Sequence, residues 1–465
     1  MRASGDDTDT ETKPSLRALF HSQLGALALA LLAVELLAGM QAYLTTTITP
    51  LIAAELNGQR FYGLVVGAEQ VGMFLTMALG VFLLSRYSAA RLLVWLTGVT
   101  AIGALVGAAA PTMGIYAVGR LISGMAAGAL ATVSMGAIVV SMPKSWRQLV
   151  LAGFSAMWVV TSIVGPVYAA WISAVLSWRW AMVLYLPLLF MARALIARRL
   201  PDIPPARDGR RLDVASSLML ASGIALISLL ANAGPWWPLV AVAGFVLTVS
   251  AAVRLLPAGV FRLRPGRPSA IVLLGILCGV YFGLSAVVAI LAHDVLDFAA
   301  GRIGLLLTVG GLAWAVTGLI CGRYPAVTDL SFRVRADGGT LLLLVGISTM
   351  AFALLDGLRV GAAVMFHCGW FLCGTGMGLI YLDTINRVVE QPARPDHISP
   401  STAASATIFV EAITTAAISA AAAAGLAAIL TSSTTGAGPH IVLLALGAGA
   451  ATRFVVIGRV TASPY

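Results

Sequence analysis

Five ionisable side chains lie at membrane depth in a sequence of long apolar stretches. They are Glu35, Glu69, Arg120 and Glu411, deep within four of these stretches, and Asp383, near the end of another. A charge at the centre of a bilayer costs at least about 2.5–3.5 kcal/mol, so residues of this kind usually face a cavity or a partner and carry function. The pattern favours transport across a membrane over passive anchoring.

Three of these residues are expected at similar depths. At a rise of about 1.5 Å per residue, Glu35 lies about 17 Å from one end of its stretch, and Glu69 and Arg120 lie about 12 and 10 Å from the opposite ends of theirs. In a hydrocarbon core of about 30 Å, these depths agree to within about one helical turn. The sequence therefore predicts a shared polar layer.

The chemistry of such a layer suits proton coupling. Arg120 is expected to keep at least one carboxylate ionised, whereas a glutamate without that partner takes up a proton more readily because burial disfavours its charged form. We predict that Glu35, Glu69 and Glu411 couple proton movement to transport. For Glu35, a structural salt bridge to Arg120 is the alternative.

Small and polar residues share helix faces with these glutamates. Gly39 lies on the face of Glu35, and such a stripe suits a cavity wall better than a lipid-facing surface, while methionine adapts to the shape of a ligand. The predicted substrate cavity is lined by Glu35, Ala42, Thr46, Glu69, Met73, Thr76, Glu411 and Thr415. Asp383 is expected instead at the membrane interface, solvated, structural and paired with Arg387.

Composition excludes several other classes of protein. Hydrophobic residues make up 59% of the chain and charged residues 10%, against roughly 45–50% and 25% in soluble domains. The net charge of +10 comes from basic residues in short loops, without the basic face that nucleic-acid binding requires. The sequence has no P-loop, no H-E-x-x-H pair and no nucleophile elbow, so we expect neither an enzyme nor a bound cofactor.

Apolar stretches of spanning length occur throughout the chain. We predict fourteen spans, near residues 24–49, 61–84, 91–110, 113–141, 149–176, 179–197, 214–232, 238–256, 269–292, 301–322, 339–355, 360–382, 402–430 and 440–458. One set of connections holds few basic residues, namely Arg60, Arg179, Arg302 and Arg359. Because excess Lys and Arg marks the cytoplasmic side, both termini are predicted to be cytoplasmic.

The linker rich in proline and arginine after the sixth span divides the chain into a pattern of six, two and six helices. The predicted segments are a cytoplasmic tail (1–21), a six-helix bundle (22–200), a cytoplasmic linker (201–213), an inserted two-helix hairpin (214–256), a basic loop (257–268) and a second six-helix bundle (269–465). A duplicated transporter with its binding site between the halves gives this pattern. Hydropathy alone is also compatible with fourteen unrelated helices.

Several motifs carry a family resemblance. Arg120, Gly124 and Gly128 form an R-x-x-x-G-x-x-x-G stripe, and Gly165-Pro166 forms a G-P pair in the fifth span. These stretches resemble the signature and the antiporter motif of the major facilitator superfamily, specifically its fourteen-helix drug:proton antiporters. The resemblance implies a structural or gating role for these five residues. Where that family usually carries an aspartate in its first helix, this chain has Thr45, and Glu35 is the candidate replacement.

The resemblance implies an all-α membrane protein with the major facilitator fold, in which fourteen helices form two pseudo-symmetric bundles and an inserted hairpin. It also implies a monomeric, proton-coupled exporter in a bacterial inner membrane. Three buried glutamates against one buried arginine leave an acidic cavity, so we predict small amphipathic or cationic substrates, with protons and membrane lipids as further partners. The alternatives are export of a native lipid or metabolite, and a non-transporting receptor or scaffold.

Overall fold

The protein is described here by a computed structural model that covers residues 22–141, 144–199, 214–355, 361–390, 398–432 and 438–461. The predicted tail at 1–21 and the predicted linker at 201–213 lie outside the described residues. The α-helices are α1 Gln23–Glu55, α2 Tyr62–Arg86, α3 Ala89–Ala108, α4 Met113–Ser141, α5 Lys144–Val175, α6 Trp178–Ala181, α7 Leu186–Arg199, α8 Val214–Ser228, α9 Trp237–Leu255, α10 Arg267–Asp294, α11 Ala300–Arg323, α12 Asp329–Ala353, α13 Ala362–Val389, α14 Pro400–Thr431, α15 His440–Ala451 and α16 Arg453–Val460.

Local sequence sets where several helices begin. The hydroxyl of Ser22 accepts the backbone N–H of Gly25 at 2.9 Å and caps α1. At α12, the side chain of Thr328 accepts the N–H of Ser331, whose hydroxyl in turn accepts the N–H of Thr328. These caps satisfy backbone donors that have no partner within the helix.

The described helices include twelve that are long and apolar enough to cross a bilayer. Two further predicted spans also fold as helices: α2 has 25 residues and α8 has 15. The 15 residues of α8 reach only about 22 Å, less than the hydrocarbon core of about 30 Å. The chain is thus a multi-pass membrane protein, and the count of fourteen spans stays a prediction.

The first and last groups of helices repeat one packing pattern. In the first bundle, α1 packs on α5 and α7, and α4 packs on α2 and α3. In the second bundle, α10 packs on α14 and on α15 and α16, and α13 packs on α11 and α12. The contact of α3 with α7 is matched by that of α12 with α15. Equivalent helices thus make equivalent contacts, as a duplicated bundle requires.

The two bundles meet along two main seams. One seam joins α5 to α11 and the other joins α2 to α14, with α1 and α10 in contact between them. The pair α8–α9 packs outside the second seam, where α8 contacts both α2 and α14. Its core contacts include Phe74 of α2, Leu220 and Ile224 of α8, and Ile413 of α14.

The connections divide between two ends of the molecule. We call the end with the connections that carry Arg86, Arg198 and Arg262 the basic end, and the end that carries Arg60 and Arg179 the opposite end. Side-chain hydrogen bonds support both ends locally. At the opposite end, for example, Trp178 donates to Glu55 at 2.6 Å.

Candidate substrate cavity

A partly buried ion pair joins two helices of the first bundle. Arg120 of α4 donates to a carboxylate oxygen of Glu69 on α2, and Arg120 is only 6% exposed. Glycines allow this approach, because a methyl group at Gly124 would overlap the carbonyl oxygen of Glu69, and one at Gly128 would overlap that of Met73. The predicted stripe of Arg120 and two glycines therefore lies where α2 and α4 cross.

The other two glutamates have aromatic partners. Trp158 of α5 donates its indole N–H to Glu35 at 3.0 Å. The hydroxyl of Tyr381 on α13 lies 3.1 Å from each carboxylate oxygen of Glu411. Arg120 therefore pairs with Glu69 and not with Glu35, so the alternative of a structural salt bridge from Glu35 to Arg120 is not what the structure shows.

A cavity of about 230 Å³ lies between the two bundles. Its lining includes four of the predicted cavity residues, Ala42, Thr46, Glu69 and Thr415, together with Arg120. Residues of α1, α2, α4 and α5 form one wall, and residues of α10, α11, α13 and α14 form the other. The cavity is therefore shared by the two bundles.

Four of the predicted cavity residues, Glu35, Met73, Thr76 and Glu411, do not belong to this lining. Thr76 is buried and donates to the carbonyl of Met125 on α4 at 2.7 Å, so its hydroxyl serves the contact of α2 with α4. Met73 packs in the cluster that joins α2 to α8 and α14. Glu35 and Glu411 lie behind their aromatic partners, of which Trp158 lines the cavity.

An aromatic cluster forms the wall contributed by the second bundle. Tyr281 stacks on Trp370 with ring centroids 5.3 Å apart and an interplanar angle of 13°. Trp314 contacts Tyr281 and Phe282 edge to face, at 5.3 and 5.9 Å, and it also contacts Tyr381, the partner of Glu411, at 5.8 Å. This cluster links the cavity to Glu411.

Sequence reasoning missed these aromatic residues. Trp314 lies near the middle of α11, and Trp370 lies eight residues after the start of α13. Since tryptophan in membrane proteins is enriched at the interfaces, indoles well inside a span are the signal that could have identified the wall. Glu69 and these aromatic residues line the same cavity.

Two buried polar atoms at the cavity have no hydrogen-bond partner within the part of the chain that the structure describes. They are the indole nitrogen of Trp370 and the hydroxyl of Thr415, and both residues line the cavity. Buried donors are normally satisfied. Both atoms are shielded from the cavity, and the indole nitrogen of Trp370 packs against Gly310 of α11.

The Gly165-Pro166 pair lies at the seam of α5 with α11. A methyl group at Gly304 of α11 would lie 3.0 Å from the carbonyl oxygen of Pro166, so the two backbones approach closely there. Gly165 faces Tyr43 and Met40 of α1. The motif therefore occupies the junction of three helices from both bundles.

A hydrogen bond links the bundles at the opposite end. The hydroxyl of Tyr62, at the start of α2, donates to Asp294 at the end of α10 over 2.8 Å. The other carboxylate oxygen of Asp294 lies 2.7 Å from Nδ1 of His293. The two bundles are therefore tied together at this end, on one side of the cavity.

The environment of Asp383 differs from the prediction. Its side chain is 3% exposed, pairs with Arg335 of α12 at 3.1 Å and accepts the N–H of Ala326 at 3.1 Å. Arg387, its predicted partner, binds Asp329 at 2.6 Å instead. The prediction of a solvated Asp383 paired with Arg387 was wrong because the connection from α11 to α12 covers this carboxylate.

Two repeated bundles around a shared, partly charged cavity define a membrane transporter. Residues 31–412 match the family model of the Major Facilitator Superfamily. The chain belongs to this superfamily, as its motifs suggested.

Similar proteins agree with this assignment. A probable multidrug-efflux transporter of Mycobacterium tuberculosis is 27% identical over 414 residues, which cover 85% of each chain. Multidrug export protein EmrB of Escherichia coli is 23% identical over 326 residues, 66% of this chain and 63% of that protein. The crystal structure of a bacterial homologue of the human lysosomal transporter Spinster covers 95% of each chain, with a TM-score of 0.58 and 13% identity, and so shares the fold.

Proposed function

We propose that this protein exports small cationic or amphipathic compounds across a bacterial inner membrane in exchange for protons. The observation that carries the proposal is the cavity between the bundles, whose lining combines Glu69 with the aromatic residues Tyr281, Trp314 and Trp370. Aromatic rings bind organic cations and apolar groups, and the ion pair of Glu69 with Arg120 adds a polar patch to the same lining. The relatives named as multidrug exporters support the same substrate class.

Three carboxylates are in a position to couple protons to this cavity. Glu69 lines it directly, Glu35 is bound to Trp158 in its wall, and Glu411 is bound to Tyr381, which contacts Trp314. Protonation of Glu35 or Glu411 weakens its acceptor interaction with the aromatic partner. Protonation of Glu69 removes the charge that pairs with Arg120, which changes the wall that a cationic substrate meets.

The proposed transport cycle is alternating access. The contact of Tyr62 with Asp294 closes the opposite end, and the seams of α5 with α11 and of α2 with α14 permit one bundle to rock against the other. The distribution of Lys and Arg supports a cytoplasmic basic end, with both termini on that side.

Dye transport in inverted membrane vesicles tests the proposal. We expect Glu69→Gln to lower gradient-driven ethidium transport at least tenfold, and Glu35→Gln and Glu411→Gln to lower it severalfold. Glu390→Gln is the matched control, because Glu390 is exposed at the end of α13. If all three variants transport as well as the wild type, the carboxylate mechanism is wrong.

The aromatic wall is tested in the same vesicles. Trp314→Ala should raise the dye concentration needed for half-maximal transport, whereas Trp171→Ala should not, because Trp171 is 62% exposed on the outer surface of α5. A native lipid or metabolite as cargo is the alternative. Thermal stabilisation of the purified protein by lipids and not by cationic dyes would favour that alternative and contradict drug export.

A further inference from the structure

A second, larger cleft lies outside the transport cavity. Its volume is about 920 Å³, and it runs between α9 and the second bundle, lined mainly by α9, α10, α14 and α15. Representative residues are Phe245 on α9, Val272 on α10, Ala421 on α14 and Leu446 on α15. The lining is almost wholly apolar, and the volume is in the range of about 300–1,000 Å³ typical of ligand sites.

One face of α14 forms the floor of the cleft from Val410 to Ile429. At about 1.5 Å per residue these positions are about 28 Å apart, so the cleft runs through nearly the whole hydrocarbon core. Thr415 and Ser419, on another face of α14, line the transport cavity. The helix α14 therefore separates the cleft from the transport cavity. A ligand in the cleft would contact the helix that also forms part of the cavity wall.

The basic end of the cleft is surrounded by arginines. Phe261 and Leu263 line the cleft, and the exposed side chains of Arg262 and Arg264 belong to the same loop. Arg459 donates to the carbonyl of Leu263 at 3.4 Å, which places a third guanidinium beside the loop. Within the residues that the structure describes, none of these three arginines forms an ion pair with a carboxylate. Among the described residues, the apolar cleft thus ends at a cluster of positive charge without ion-pair partners.

We propose that this cleft binds one anionic glycerophospholipid of the surrounding bilayer. Its phosphate lies at Arg262 and Arg264, and its acyl chains follow α14 from Val410 toward Ala421. Half of the hydrocarbon core is about 15 Å, which matches the 11 residues between these positions. Basic clusters at the membrane surface attract anionic lipids, whereas a neutral lipid gains no such attraction. The bound lipid fills the gap between α9 and α14 and holds the hairpin against the second bundle.

Thermal denaturation of the full chain in detergent, with added phosphatidylglycerol or phosphatidylcholine, tests the proposal. We expect phosphatidylglycerol to raise the midpoint more than phosphatidylcholine does. Arg262→Gln/Arg264→Gln should lose at least half of this difference. The matched control, Arg86→Gln/Arg91→Gln, removes two exposed arginines at the basic end of the first bundle and should keep it.

A second variant tests the location of the acyl chains. The side chain of Ala421 is exposed in the cleft, so Ala421→Phe fills the path of the chains and should reduce stabilisation by phosphatidylglycerol. Equal stabilisation by both lipids in the wild type would overturn the proposal, as would an undiminished phosphatidylglycerol effect in either variant. The assay does not measure transport, so its failure would leave the proposed export function standing.

Discussion

Arg453 is a charged residue that the transport cavity does not use. It is fully buried at the start of α16, and none of the three nitrogens of its guanidinium has a hydrogen-bond partner within the described part of the chain. Burying a charge without a partner is unfavourable, because the hydration that it loses is not replaced. Its burial is therefore unfavourable to the extent that attraction by Asp337 does not offset the lost hydration.

Replacement of this arginine by an apolar residue of similar length should stabilise the protein. We expect Arg453→Met to raise the thermal denaturation midpoint in detergent by a few degrees, because it removes a buried charge that has no hydrogen-bond partner among the described residues. Arg198→Met is the control, because Arg198 is exposed near the end of α7, and it should leave the midpoint unchanged. A lower midpoint for Arg453→Met would show that the guanidinium has a stabilising partner.

At the scale of single residues, the sequence identified the charged residues at membrane depth, but it identified their interaction partners less well. Matching depths predicted that Glu69 and Arg120 belong to one layer, and the structure joins them. Depth does not fix the rotation of a helix about its axis, so the contact of Glu35 with Trp158 could not be derived. The partner of Asp383 was missed for a similar reason, since Arg335 belongs to a different helix.

The crossing of α2 and α4 depends on glycines from both helices. Gly72 lies against the backbone of Leu121 and Met125, and Gly124 lies against that of Glu69. In lipid, no hydrophobic force drives helices together, so their association depends on close packing. Glycines increase this packing because they let the two backbones approach closely. The geometry of the ion pair between Glu69 and Arg120 follows from this crossing.

A single methyl group should therefore disturb the crossing. We expect Gly124→Ala to destabilise the protein by about 1–3 kcal/mol through overpacking and to lower ethidium transport, because α2 must move away from α4. Gly98→Ala is the control on α3, where an added methyl group meets nothing within 4 Å. Comparison of the denaturation midpoints and transport rates of both variants checks this expectation. Equal midpoints would contradict it.

At the scale of elements, hydropathy was sufficient to predict where the helices lie. The predicted stretches at 269–292 and 301–322 correspond to α10 and α11. The stripe of Arg120, Gly124 and Gly128 indicated a close helix contact but could not identify α2 as the neighbour. Glycine in a sequence signals proximity, whereas the identity of the partner depends on tertiary packing.

For the whole molecule, the bond between Tyr62 and Asp294 should favour the conformation that is closed at the opposite end. Tyr62→Phe removes this bond while keeping the ring. The measurement uses two spin labels, at positions 60 and 302 on different bundles, in a protein from which the native cysteines have been removed. We expect the distribution of distances between the labels to contain more long distances in this variant. Tyr324→Phe at the basic end, where Tyr324 is exposed, should not change the distribution. An unchanged distribution for Tyr62→Phe would show that the bond does not hold this end closed.

The arrangement of six, two and six helices rests on the basic linker and the span lengths, which are local features of the sequence, and it stays a prediction. The position of α8 against α2 and α14 was not predictable, because no local signal in an apolar helix specifies its neighbours in lipid. The aromatic wall likewise depends on α10, α11 and α13 meeting in space. These features require the assembled bundle.

The hairpin touches both bundles along only one of their two seams. The junction of α2 with α14 is braced from outside by α8, while that of α5 with α11 has no such cover among the described helices. The hairpin therefore makes the two seams between the repeated bundles structurally unequal. We therefore expect the seam of α5 with α11 to open more easily than the seam of α2 with α14.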